Sequence, residues 1–202
     1  MTKFLSKHNL APESFLVTRE QKEALNRQKA FVIWLTGLSG SGKSTIARIL
    51  EVRLFKAGIR TLILDGDNTR MSINRDLDFS PEGRTENIRR VAEIARLLND
   101  AGVVVITAFI APFRKDRETA KEIIGKDCFV EIFVDAPLEI CMKRDTKGLY
   151  MKALNGELKD FTGVSSPYEE PLNPQLRVST DNQSPEESVF QIINFISSGN
   201  LI

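Results

Sequence analysis

Apolar runs and helical periodicities alternate along the chain. Phe31 to Thr36 (FVIWLT) is a continuous apolar run rich in β-formers, the pattern of a strand covered on both faces. A Gly-rich turn follows. Ser44 to Ala57 then sets Ile46, Ile49, Leu50 and Leu54 on one helical face before Gly58, a C-cap residue. Thr61 to Leu64 reads as the second strand, and Ser80 to Ala101 as a long amphipathic helix stopped by Gly102. Val103 to Ala108, Phe129 to Val134 and Leu176 to Ser179 are further strands, separated by helices over Asp116 to Ile124 and Leu138 to Asp145. Ser184, Pro185 and Glu187 supply the N-cap, first-turn proline and capping box of a terminal helix through Phe195.

Strands that alternate with helices imply a parallel sheet with right-handed crossovers, an α/β layered fold with helices flanking the sheet. Residues 1–29 form an N-terminal extension, ending in a helix for which Thr18 and Gln21 offer a capping box, and residues 30–202 form one domain. The stretch from Thr146 to Pro174 carries Gly148, Gly156, Gly163, Pro167, Pro171 and Pro174. It is expected to be irregular, and a loop of that length in a compact domain is expected to be a lid.

Composition narrows the picture by exclusion. The 202 residues hold 28 Lys+Arg and 27 Asp+Glu, a net charge of +1, which gives no pull toward a nucleic-acid backbone or an anionic membrane surface. The longest nearly apolar run, Ala101 to Ala111, is about half of what a bilayer-spanning helix needs. Met1 to Leu10 lacks a signal-peptide pattern, so a cytoplasmic location is expected. Cys128 and Cys141 match no zinc or redox spacing, and both are expected to be small buried hydrophobes. The single histidine, His8, stands in a polar segment. Acid–base chemistry therefore falls to carboxylates, and charge stabilisation to Lys, Arg, backbone amides or a metal.

Between the first strand and its helix lies Gly37-Leu38-Ser39-Gly40-Ser41-Gly42-Lys43-Ser44, followed by Thr45. This matches G-x-x-x-x-G-K-[ST] in the strand–turn–helix context the motif requires. An accidental match at four fixed positions is expected in about one such chain in a hundred. The glycines let successive N–H groups face one anion, and the helix N-terminus adds to the attraction. Lys43 would reach the β- and γ-phosphates of ATP, and Ser44 would ligate Mg²⁺. At the end of the second strand, Asp65 and Asp67 of DGDNTR form a carboxylate pair able to divide tasks, one near the metal and its waters, the other near an acceptor hydroxyl, the alternative being a polar turn that caps the strand. Arg70 and Arg84 suit an anionic substrate, and Asn87 shares a helical face with Arg84. Arg89 and Arg96 are explained by a solvated basic face. These residues imply a P-loop NTPase fold, and a small-molecule kinase is the class expected of it.

The ordered segments GLSGSGKST, DGDNTR, FSPEGRTENIRR, FIAPFR, RDTKGLY and FTGVSSPYEEP closely resemble the adenylylsulfate kinases over roughly residues 30–196. That resemblance implies transfer of the γ-phosphoryl group of ATP, with Mg²⁺, to the 3′-hydroxyl of adenosine 5′-phosphosulfate, in a homodimer linked in function to ATP sulfurylase. It implies that Arg70, Arg84 and Asn87 bind the phosphosulfate nucleotide, that Phe79 and Phe161 sandwich its adenine, and that Ile110 and Lys147 line the same site. Arg144 matches a position near the ATP base. Asp67 is assigned to the acceptor hydroxyl, and Ser44 and Asp65 to the metal. The chain departs from the family pattern at Asp78, often Gly, at Val164-Ser165, often Ile-Asp, and at Ala111, often Ser.

Two other readings compete: a P-loop kinase of another hydroxylated metabolite, such as gluconate or shikimate, and a nucleotide-binding regulator without turnover. Phe79 with Phe161 disfavours the first, since polyols offer no flat face to stack on. Retention of Lys43, Ser44, Asp65 and Asp67 disfavours the second.

Overall fold

The computed structural model describes Glu13 and residues 15–202; His8 lies outside them. Five strands, β1 (Val32–Thr36), β2 (Thr61–Asp65), β3 (Val104–Ala108), β4 (Phe129–Asp135) and β5 (Leu176–Ser179), form one sheet in the order β2-β3-β1-β4-β5. Every pairing is parallel. Around it pack α1 (Arg19–Asn26), α2 (Lys43–Lys56), α3 (Gly66–Met71), α4 (Pro81–Asp100), α5 (Arg114–Ile124), α6 (Leu138–Arg144), α7 (Leu149–Leu154) and α8 (Pro185–Ser198).

The run FVIWLT is apolar throughout because both its faces are covered. Ile33 and Leu35 point to one side, with Ile46, Leu50 and Leu54 of α2 and Ile192 and Ile196 of α8. Val32 and Trp34 point to the other, against Ile88, Val91 and Ala95 of α4 and Ala120 of α5. The chain leaves central β1 for β2 on one flank and returns later to β4 on the other. The C-terminal end of β1 is thus the switch point at which α/β sheets open a crevice.

Helix α1, the helical part of the extension, is fastened to the far end of this sheet. Thr18 and Gln21 make the expected capping box on α1. Lys22 Nζ donates to Asp100 O at 3.0 Å, Asn26 Nδ2 to Gly102 O at 3.1 Å, and Glu23 accepts from Ala30 N at 3.0 Å.

Three sequence expectations need correction. DGDNTR is not merely a polar turn: Asp65 caps α3 by accepting from Asp67 N at 3.0 Å, so the segment coils into a short helix. The segment 146–174 is not irregular throughout, because Gly148, at φ 66°, releases the chain into α7, whose Tyr150 and Ala153 are buried. Cys141 is buried, but Cys128 is only partly so. Cys128 ends a surface 3₁₀ turn, and its Sγ accepts from Arg19 Nη1 at 2.8 Å. Smaller shifts place the start of α2 at Lys43 and of α5 at Arg114. No helix among the described residues is long and apolar enough to cross a membrane.

Candidate active site

The turn from β1 into α2 is pressed against the sheet. A Cβ on Gly37 would lie 2.3 Å from Val134 O, so only glycine permits the approach, and Gly42 caps α2 at φ 100°, where L side chains are strained. Lys43 Nζ folds back and donates to Gly37 O at 2.9 Å and Leu38 O at 2.6 Å. Burial pushes its ammonium down to about 8, against the pull of Cys141, Asp65 and Asp67 toward the charged form. An ammonium held that way gains from an arriving polyphosphate.

Ser44 Oγ donates to Asp65 Oδ2 at 2.7 Å. These two hard oxygen donors stand together at the lip of the turn. Among the described residues no group of three or more His, Cys, Asp and Glu could hold a metal. Few protein ligands and hard oxygens fit Mg²⁺ held jointly with phosphate oxygens and water, and fit a closed protein cage poorly. The carboxylate of Asp67, two residues further along, pairs with Lys147 of the segment 146–174.

The opposite wall is cationic. Arg70 lies over the Phe79 ring, 4.3 Å from its centroid, and donates to Asp78 O at 2.8 Å. Arg84 donates to Phe79 O at 2.9 Å, Asp160 O at 2.7 Å and Thr162 Oγ1 at 3.2 Å. None of these acceptors is a carboxylate. Burial lowers the pKa of both guanidiniums, and for Arg70 the nearby Arg84 lowers it further. The contrast is with Arg89, Arg90 and Arg96, which are paired with Glu86, Asp76, Glu93 and Asp100 on the outside of α4. Two partly desolvated cations without carboxylate partners among the described residues make a site for an anion.

These parts share one cavity of about 1110 Å³. Ser39, Gly40, Gly42, Lys43, Ser44, Thr45 and Arg144 line it on the P-loop side, Arg70, Phe79, Arg84, Asn87, Ile110 and Phe161 on the other, with Asp65, Asp67 and Lys147 also on its wall. Gly37, Leu38 and Ser41 stand behind the wall: Leu38 packs in a small apolar cluster with Tyr150, Phe161 and Leu138, and Ser41 O accepts from Thr180 Oγ1 at 2.9 Å. Arg144 ties the turn to the end of β5, donating to Gly40 O and Thr180 Oγ1, each at 3.2 Å. Phe79 is largely exposed while Phe161 is buried, its ring edge-on to Tyr150 at 5.0 Å and 84°.

Ile110 O accepts from Thr36 Oγ1 at 2.7 Å. Ala111 sits at φ 45°, its carbonyl held by Arg117 Nη1 at 2.7 Å. The departure at Asp78 has a local explanation, since its Oδ1 accepts from Ser80 Oγ at 2.6 Å and Ser80 N at 3.1 Å at the entry to α4. Ser165 Oγ accepts from Phe161 N at 3.0 Å, closing the turn that carries the lid phenylalanine.

Sequence reasoning missed Thr180 and Tyr150. Tyr150 OH donates to Ser39 O of the P-loop at 2.9 Å, and burial raises its hydroxyl pKa. The signal for Thr180 was its place just past a strand's C-terminal end; Tyr150 lay inside the quoted RDTKGLY.

A glycine-rich turn of the P-loop pattern at the switch point, facing guanidiniums across one cavity, defines the chain as a P-loop kinase. The model of the adenylylsulphate kinase family matches residues 29–179. An adenylyl-sulfate kinase of Clostridium kluyveri is 52% identical over 189 residues, covering 94% of this chain and 94% of that protein, and one of Clostridium acetobutylicum is 48% identical over 194 residues, covering 96% of each. The structure of the Mycobacterium tuberculosis APS kinase CysC in complex with AMPPNP and APS superposes with a TM-score of 0.81 at 42% identity, covering 84% of this chain and 99% of that one. The chain belongs to the adenylylsulfate kinase family and is a phosphotransferase.

Proposed function

We infer that the chain transfers the γ-phosphoryl group of ATP to the 3′-hydroxyl of adenosine 5′-phosphosulfate, giving ADP and 3′-phosphoadenosine 5′-phosphosulfate. The observation that carries this reading is the pair Arg70 and Arg84, partly desolvated and without carboxylate partners among the described residues, in one cavity with the P-loop and two phenylalanines. A phosphate–sulfate anhydride presents anionic oxygens to the guanidiniums, and its adenine presents a flat face to Phe79 and Phe161, each contact contributing about 1–3 kcal/mol.

Lys43, with Ser39, Gly40, Gly42, Ser44, Thr45 and Arg144, holds ATP. Mg²⁺, held by Ser44 and Asp65, would neutralise phosphate charge. Asp67 accepts the hydrogen bond, and then the proton, of the 3′-hydroxyl as its oxygen attacks the γ-phosphorus and the bond to the β-phosphate oxygen breaks. Lys147 keeps that carboxylate turned into the cavity. Transfer is direct: the methyl of Ala111 has no oxygen to carry phosphate, and positioning with charge neutralisation suffices for this chemistry. The working assembly is a homodimer supplied by an ATP sulfurylase; an APS kinase from Thiobacillus denitrificans, 28% identical with a TM-score of 0.67, is hexameric.

A coupled assay with ATP tests the reaction. Adenosine 5′-phosphosulfate should be turned over and gluconate and shikimate should not; turnover of a polyol with none of the sulfated nucleotide would overturn the reading. Arg84→Ala should weaken the acceptor by about 1.5–3 kcal/mol and leave ATP affinity nearly unchanged. Calorimetry that shows equal weakening of both would remove Arg84 from the acceptor pocket. Amide exchange over residues 146–174 should slow when ADP and acceptor bind together, because Lys147 and Phe161 then have ligand to close upon. Unchanged exchange would contradict a closing lid.

A further inference from the structure

We propose that Asn74, which lies outside the cavity, is a positioning residue for the acceptor: its side-chain amide holds that of Asn87 with the donor Nδ2 turned toward the ligand. Asn74 is fully buried. Its Nδ2 donates to Asn87 Oδ1 at 3.0 Å, and its own Oδ1 has no partner among the described residues. Asn87 is nearly buried, lines the cavity, and makes no other side-chain hydrogen bond among the described residues.

An asparagine amide is ambivalent, since it can show a ligand either a carbonyl oxygen or an NH₂. Only the NH₂ suits anionic oxygens. In this pairing Asn74 Nδ2 takes Oδ1 of Asn87 from behind and leaves Nδ2 of Asn87 for the ligand, and it does so at a cost, because a buried polar side chain with one unsatisfied oxygen is worse for stability than an apolar one of the same size. That cost has no return in packing; it has one in orientation.

The placement of Asn74 supports the same role. Its N–H donates to Thr69 O at 2.8 Å and its carbonyl accepts from Leu77 N at 3.1 Å, while Thr69 Oγ1 donates to Asp65 O at 3.0 Å. Asn74 is therefore anchored to α3, which carries Asp67 and Arg70, and reaches across to α4, which carries Arg84 and Asn87. It sets the two helices that supply the acceptor contacts in one register.

This inference rests on Asn87 facing the acceptor, so the experiment separates the two. Affinity for adenosine 5′-phosphosulfate, in the presence of ADP, is measured by calorimetry for wild type, Asn74→Ala, Asn87→Ala and the double variant, with ADP affinity as the control for folding. Asn74→Ala should weaken the acceptor roughly tenfold, leave ADP binding within twofold, and add nothing further in the Asn87→Ala background. If Asn74→Ala fails to bind ADP, Asn74→Ser replaces it in the same cycle. A loss that is equal in both backgrounds, or no loss from Asn74→Ala where Asn87→Ala shows one, would overturn the proposal. No loss from Asn87→Ala would overturn the acceptor reading of Asn87, and the proposal with it.

Discussion

Lys43→Ala is expected to lower kcat by roughly a hundred- to a thousandfold, the usual effect of removing one preorganised charge from a transition state. The fold should survive. Burial already disfavours this ammonium, pushing it down to about 8, so its removal takes away a charge the folded state holds at a cost. What is lost is two hydrogen bonds to P-loop carbonyls, at Gly37 and Leu38. The same displacement has a sign that can be read directly. Polyphosphate favours the charged form, so ATP binding at pH 8 to 9 should take up protons, and near pH 6.5, where Lys43 is already charged, this group should take up none. Calorimetry in buffers of different ionisation enthalpy reads the uptake. Near-normal turnover by a folded Lys43→Ala variant would remove the P-loop from the chemistry.

The second large effect is expected at Asp67. Asp67→Asn keeps size and shape but discards the negative charge that pairs with Lys147 and that is proposed to accept the hydroxyl proton. Turnover should fall about a hundredfold, within the range for loss of a positioned general base. KM for ATP and for the acceptor should change little, because Arg70 and Arg84 remain to bind the anion. Steady-state kinetics with both substrates varied separates the cases. A raised acceptor KM at unchanged kcat would make Asp67 a binding group only.

Much of this site was legible in the sequence for a physical reason: its residues sit at the ends of strands, where hydrophobic periodicity stops and polar residues begin. The P-loop is contiguous, so Lys43 and Ser44 announce themselves, and Asp65 and Asp67 follow the apolar run of β2 directly. Arg84 and Asn87 share a face because a helix repeats every 3.6 residues. Other features depend on contacts between distant segments that no local pattern encodes. Tyr150 meets Ser39 across 111 positions of sequence, and Asn74 matters only because α3 and α4 bring it beside Asn87. The helix α7 was hidden by the glycines around it: Gly148 and Gly156 read as breakers of a whole segment, yet they flank one buried turn at Tyr150 and Ala153. Cys128 was misread because composition favours burial of cysteine, whereas its place at the end of a 3₁₀ turn leaves it only partly buried.

The most direct test is a single-turnover reaction with γ-labelled ATP, quenched at short times with and without adenosine 5′-phosphosulfate. Direct transfer predicts label on the 3′-position of the sulfated nucleotide, at a rate equal to ADP formation, and none on the protein at any time. A stoichiometric protein-bound phosphate that forms without acceptor and chases into product, or ATP cleavage that never labels the sulfated nucleotide, would contradict it.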